Sequence, residues 1–239
     1  MTLSVVSAFG VGSTGNGDIL VVGCGVLGTS LCKQLLSSTD FGSCSITAIT
    51  KTKNNHMSIL DQVGAHDNFH LRTFDETPRE KQFQNVIFCA PPSGFEDYPG
   101  AVKQCIDAFW SGPEDGLFVF TSSGGIYGFG NGEVVTENTP LPDTSNASPR
   151  SLRLIKAEET VIGSKGAVLR LAGLYTLERG AHNYWLEKLE GKPIAGSKEG
   201  IVNLLHYDDA AGSCLATLRA GKGTQGQIFL VSDGHPTSR

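Results

Sequence analysis

The stretch Asp18-Ile19-Leu20-Val21-Val22-Gly23-Cys24-Gly25-Val26-Leu27-Gly28 decides the fold. A short β-branched and aliphatic run ends at Val22, and a helical pattern opens at about Val26 and continues to about Leu36. Between them Gly23–Gly28 matches G-x-G-x-x-G in the strand–turn–helix setting that gives the pattern meaning. Gly23 makes the tight turn, Gly25 lets the backbone approach a pyrophosphate, and Gly28 lets the helix pack closely on the strand. The helix N-terminus at Val26 and Leu27 then offers unpaired N–H groups to the phosphates. Because 30 of the 239 residues are glycine, the pattern draws its weight from this context. The stretch reads as a dinucleotide site.

Outward from it the same organisation repeats. Ser45–Thr50 reads as a second strand, and Asn85–Ala90 and Leu117–Thr121 are near-continuous apolar runs of the kind that suits parallel strands buried on both faces. Ala101–Trp110 between them has a helical apolar period, and Ala167–Leu171 and Gln227–Val231 read as the last two strands. Pro140–Pro149 is a polar loop leading to a helix that starts near Ser151. Strands alternating with helices imply an α/β fold, a Rossmann doubly wound parallel sheet. Residues 1–17 carry no charge and read as a flexible leader, with the Rossmann domain over 18–239.

Composition bounds the function. The formal net charge is −5, with charged residues at 18% and hydrophobic residues at 39%. Mild acidity argues against nucleic acid as a partner, and no apolar run approaches the ~18 residues of a membrane span. The six cysteines include no C-x-x-C pair and no His at zinc spacing, so no metal site is expected and a soluble protein in a reducing compartment is.

The nature of the dinucleotide depends on the end of the second strand, where an acid about 20 residues on would bond a ribose 2′-OH. The chain reads Thr50-Lys51-Thr52-Lys53 there, and Asp40 comes too early. Two lysines and two hydroxyls favour a 2′-phosphate, hence NADP, with NAD as the alternative. Ala90-Pro91-Pro92 after the fourth strand is the expected wall of the same site.

A second motif, Phe118-Val-Phe-Thr121-Ser122-Ser123-Gly124-Gly125-Ile126-Tyr127-Gly128, puts hydroxyls at a strand's carboxyl end. Together with Gly23–Gly28, Val168–Tyr175 and Leu205–Ala211, it resembles the NAD-dependent epimerase/dehydratase group, the extended and atypical short-chain dehydrogenases/reductases. Leu169–Tyr184 and His235–Arg239 look most like a branch found in bacteria and in the plastids of plants and algae. The resemblance implies a cofactor contact at Ser122 and a catalytic serine at Ser123, which would hydrogen-bond the reacting hydroxyl or carbonyl. It further implies a substrate-side insertion over 172–205, and a substrate loop bringing Arg179 and His182 toward a substrate anion. A small C-terminal lobe is also implied, and the chain looks truncated in it. The substrate would be a small hydroxylated or nucleotide-linked molecule, and the location a plastid stroma or, failing that, the cytoplasm. A homodimer stays open.

The chain departs from that group in one place. Its Tyr-x-x-x-Lys pair should follow Tyr127, yet there is no Tyr before Tyr175. If Lys156 is the lysine that holds the nicotinamide ribose, Leu152 stands in the tyrosine slot. If Arg150 holds that slot, Leu154 replaces the lysine. Either alignment removes an acid/base commonly worth ~10²–10⁴-fold in rate, and leaves Tyr127 as the substitute acid. Two functions follow: an oxidoreductase or epimerase relying on Ser123, Tyr127 and Lys156, or a non-catalytic dinucleotide-binding sensor or assembly subunit. Arg170, on a buried strand, reads as an ion-pair partner, and Asp208 and Asp209 read as caps of a following helix.

Overall fold

The computed structural model describes residues 17–78, 81–128, 132–143, 145, 147–188, 192 and 199–238. The expected leader therefore lies, apart from Gly17, outside the described residues, as do parts of the 172–205 insertion and Arg239.

In chain order the elements are β1 (Ile19–Val22), α1 (Val26–Ser37), β2 (Ile46–Thr50), α2 (His56–Val63), β3 (Phe69–Thr73), β4 (Asn85–Phe88), α3 (Tyr98–Phe109) and β5 (Phe118–Ser123). After these come α4 (Pro149–Gly163), β6 (Ala167–Leu171), β7 (Gly173–Tyr175), the helical turn α5 (Ala181–Asn183), β8 (Ile201–Val202), β9 (Leu204–His206), α6 (Tyr207–Ala220), β10 (Ile228–Val231) and β11 (Thr237–Ser238). Seven strands form one sheet in the order β10-β6-β5-β4-β1-β2-β3, and every pairing in it is parallel. The chain thus has the Rossmann fold that its apolar runs imply.

Alternation along each strand builds two cores. Ile19 and Val21 of β1 face a layer made by α1, α2 and α6, through residues such as Leu31, Ile59 and Leu215. Leu20 and Val22 face the opposite layer, where α3 and α4 contribute Val102, Phe109, Leu154 and Val161. All four β1 side chains are consequently buried, which is why the strand carries no polar residue. Caps fix where the second layer starts: Asp97 accepts from Gly100 N–H at 3.0 Å ahead of α3, and Ser148 accepts from Ser151 N–H at 3.1 Å ahead of α4.

Three features differ from the sequence reading. β3 and α2 lie outside the strands and helices that it names; β3 is an edge strand, FHLRT, whose three middle residues are only half-buried, and α2 buries only Ile59 and Val63. The cap of α6 is His206, which accepts from Asp208 N–H at 3.2 Å, so Asp208 and Asp209 sit inside the first turn. Asp208 instead receives the hydroxyl of Ser30, joining α6 to α1. Beyond β6 the chain leaves the main sheet, and β7 pairs with β9 and β8 with β11 as two small ribbons. No helix among the described residues is long and apolar enough to cross a membrane.

Candidate functional site

The order of the strands locates the site. β1 lies between β2 and β4, and the chain leaves β1 for one face and β4 for the other, so their carboxyl ends open a crevice at the switch point. A cavity of about 1150 Å³ occupies that position. It is lined by Gly23, Gly25, Val26 and Leu27 from the glycine loop, by Thr50 and Lys51 after β2, and by Ala90, Pro91 and Pro92 after β4. Ser122 and Ser123 at the end of β5, and Arg179 beyond β7, complete the set of expected residues that converge there.

Each glycine of the loop has a separate reason. Gly23 has φ +94°, and a Cβ there would stand 2.4 Å from the Ala90 backbone nitrogen, so the turn admits no side chain. A Cβ on Gly28 would stand 2.5 Å from the Gly23 carbonyl oxygen, which ties this glycine to close packing rather than to the cavity. Gly25 is the opposite case: its φ is −86°, and nothing lies within 4 Å of a Cβ built there. Any residue fits Gly25 in the free protein, so the space beside it is open to a ligand. No side chain caps α1, whose first N–H groups therefore face the cavity mouth with the positive end of the helix behind them.

At the end of β2 the two lysines separate. Lys51 lines the crevice and donates from Nζ to the Gly94 carbonyl across it at 3.2 Å. Lys53 turns away and pairs with Glu76, beside His56, Leu71 and Arg72 in a smaller depression. The Lys53 ammonium, helped by the Thr73 backbone N–H, lowers the Glu76 carboxyl to about 2. Near neutral pH this pair is fully ionised, and Lys53 does not border the main crevice.

At the other end Ser123 Oγ accepts from Gly125 N–H at 3.2 Å, which leaves its own proton to donate. Ser122 points the other way and donates to the buried carboxylate of Glu158. That carboxylate also takes Arg170 Nη2 at 2.8 Å, and both side chains of this ion pair are 4% exposed. Arg170 is thus the ion-pair partner its strand suggests. Its Nη1 donates to the Tyr127 hydroxyl at 2.6 Å, and Tyr127 donates on to the Thr136 carbonyl at 2.9 Å. Tyr127 is therefore held in a bracing network behind the crevice, not among the residues that line it.

Helix α4 presents one of its two candidate stripes to the crevice. Arg150 and Leu154 line the crevice, whereas Lys156 is exposed and does not. At 3.6 residues per turn, positions 150 and 154 lie about 40° apart, and 152 and 156 lie about 160° around from them. Burial of Leu154, Ala157, Glu158 and Val161 against the sheet fixes that phase. Lys156 therefore faces solvent and is not brought to the crevice, which Arg150 and Leu154 reach instead. His182 is likewise outside the crevice; its Nε2 lies 3.2 Å from the Leu177 carbonyl, and its ring stacks edge-on against Tyr175.

Some crevice residues belong to none of the sequence motifs, among them Phe95 and Tyr98, while Leu174 and Tyr207 come from the Val168–Tyr175 and Leu205–Ala211 motifs without having been singled out. Tyr98 donates to the Ala90 carbonyl at 2.8 Å, and burial drives its phenol pKa upward, so it is no acid for a substrate. Tyr207 opens α6 directly after β9. Cys24 and Cys89 form part of the floor. A hydrogen bond from Cys32 holds the Cys24 thiol low against the opposing effect of burial, and the bond to Cys214 together with burial raises Cys89.

Solved structures share this fold. The chain superposes on UDP-glucuronic acid 4-epimerase from Bacillus cereus, in complex with UDP-glucuronic acid and NAD, at a TM-score of 0.71 and 18% identity over 92% of this chain and 79% of that one. Bordetella bronchiseptica WbmH in complex with NAD+ gives 0.65 and 14% over 93% of this chain and 77% of that one. A conserved protein of unknown function from Silicibacter pomeroyi gives 0.65 and 19% over 93% and 74%. No family model matches the chain. No curated protein matches it either. At these identities the likeness establishes the fold.

Proposed function

We propose that this chain is an atypical short-chain dehydrogenase/reductase-like protein of the NAD-dependent epimerase/dehydratase group, binding a nicotinamide dinucleotide in the switch-point crevice. The observation that carries the reading is the open space at Gly25 beside the uncapped N-terminus of α1. The pyrophosphate belongs at that N-terminus, between the glycine loop and Ala90-Pro91-Pro92. Lys51 meets the adenosine ribose, and with no acid among the described residues lining the crevice there the phosphorylated cofactor is the better partner. The two solved structures that hold NAD and share the fold support the cofactor class.

A nicotinamide bound here would supply hydride transfer. For this chemistry the chain offers Ser123, whose free proton can hydrogen-bond a substrate oxygen, and Arg179 on the substrate side. It does not offer the tyrosine, since the guanidinium at Arg150 does not release its proton, and Leu154, with no polar group, cannot replace the lysine. This favours the second reading, a dinucleotide-binding sensor or assembly subunit, over brisk turnover. Six free cysteines fit a reducing compartment, plastid stroma or cytoplasm.

Calorimetric titration with NADPH and NADH tests the binding, and NADPH oxidation over a broad panel of carbonyl substrates tests the chemistry. Saturable NADPH binding without oxidation would establish the sensor reading, and rapid oxidation would establish the enzyme. Absence of any dinucleotide binding would refute both.

A further inference from the structure

Among the described residues the crevice is lined by three cations, Lys51, Arg150 and Arg179, and by no Asp or Glu, in a chain whose net charge is −5. Acids outnumber bases overall, 24 to 19, so the lack of acids among the described residues lining this cavity is a property of the site and not of the composition. Lys51 is accounted for by its bond to Gly94 and its place at the adenosine end. Arg150 and Arg179 are not accounted for. Neither guanidinium makes a hydrogen bond or an ion pair among the described residues.

The two arginines come from neighbouring parts of the fold. Arg150 is in the first turn of α4, which follows β5, and Arg179 closes a Thr176–Arg179 turn after β7, which follows β6. β5 and β6 are paired, and Ser123 and Leu171 at their ends are register partners. Both arginines therefore reach the crevice from elements that follow β5 and β6, the strands whose carboxyl ends carry Ser123 and Leu171. The 15-residue helix α4 adds the positive end of its dipole behind Arg150. Like charges facing one cavity repel, and a planar guanidinium fork is matched by a carboxylate or a phosphate.

We infer that the Ser123 end of the crevice is an oxyanion subsite, in which Arg150 and Arg179 grip the carboxylate or phosphate of a second small molecule while Ser123 donates its proton to the same ligand. This rests on the dinucleotide reading for which end is which. The tyrosine slot thereby acquires a different role, because a group that cannot deliver a proton at neutral pH can hold a permanent anion. The ligand is a small organic acid, a phosphomonoester or a nucleoside diphosphate.

The test is calorimetry on NADPH-loaded protein titrated separately with malonate, inorganic phosphate and UDP, at low and high salt. The wild type should bind at least one of them. Arg150→Ala and Arg179→Ala should each weaken that binding at least tenfold, while NADPH affinity changes less than about threefold. Arg150→Lys should recover only part of the loss, because the fork is gone. Preference for malonate, phosphate or UDP identifies the source of the oxyanion. Binding of none of the three, equal binding by wild type and variants, or an equal loss of NADPH affinity would overturn the subsite. Should NADPH itself fail to bind, the dinucleotide reading falls, and the same titrations on unloaded protein still decide whether the arginines hold an anion.

Discussion

Replacing Gly25 by valine separates the ligand's needs from the fold's. The backbone there has a negative φ of −86°, so no left-handed conformation is demanded of a side chain, and an added Cβ meets nothing within 4 Å. Losing a glycine from the unfolded ensemble stabilises by about 0.4–1 kcal/mol, and replacing glycine by a worse helix cap costs about as much. The net change in stability should therefore stay within about 1 kcal/mol, or roughly 2–4 °C in Tm for a chain of this size. Dinucleotide binding should collapse, because the side chain fills the space where a pyrophosphate must meet the first N–H groups of α1. Losing two charge-assisted hydrogen bonds at ~1.5–3 kcal/mol each weakens binding by about 10²–10⁴-fold. Gly28→Ala should behave in the opposite way, since its Cβ would press on the Gly23 carbonyl at 2.5 Å. Overpacking against backbone costs about 1–3 kcal/mol, so this variant should melt several degrees lower. Thermal melts and calorimetric titration with NADPH read both quantities on the same samples. A Gly25→Val protein that binds NADPH normally, or that unfolds, would refute the reasoning.

Three further outcomes are expected. Lys51→Glu should abolish any preference for NADPH over NADH, whereas Glu76→Gln should raise that preference several-fold by releasing Lys53. Because Glu76 stays ionised down to about pH 2, wild-type discrimination should not change through this pair between pH 5 and pH 9. Titration of both cofactors across that range measures all three effects. Arg150→Tyr combined with Leu154→Lys should raise NADPH-dependent carbonyl reduction at least tenfold over the wild type, and Leu152→Tyr alone should leave it unchanged. Arg170→Ala should cost about 3–5 kcal/mol in chemical denaturation by stranding the Glu158 carboxylate, and replacing both partners with apolar residues should cost less than the two single losses together.

The parallel sheet was legible because strands buried on both faces must be apolar at every position, as β1 is, or pair the polar group they carry, as β6 does with Arg170. β3 escaped for the same physical reason. At the edge of the sheet it covers only part of its surface, so His70 and Arg72 interrupt the apolar run that betrays the inner strands. The glycine loop was legible in full, since turn, backbone approach and helix packing are all local requirements on neighbouring residues. Lys53 was not. Its partner Glu76 follows β3, and only the pairing of Thr50 with Thr73 brings the two strand ends together.

Helix α4 shows where local reading stops and packing takes over. Arg150/Leu154 and Leu152/Lys156 have the same spacing, so a motif that asks only for residues four apart cannot choose between them. Apolar residues occur on both stripes, with Leu152, Ile155 and Ile162 half-buried beside the buried Leu154, Ala157 and Val161. The decision lies with Glu158. As an ionised group it is tolerable in the interior only against Arg170, and Arg170 is fixed on β6 with its neighbours buried on either side. Once Glu158 turns toward β6, residues 150 and 154, two turns and one turn earlier, must face the end of that sheet. The ion pair therefore sets the rotation of the helix, and the rotation presents Arg150 to the crevice and Lys156 to solvent. A buried charge pair beneath the crevice thus determines which stripe of α4 faces it.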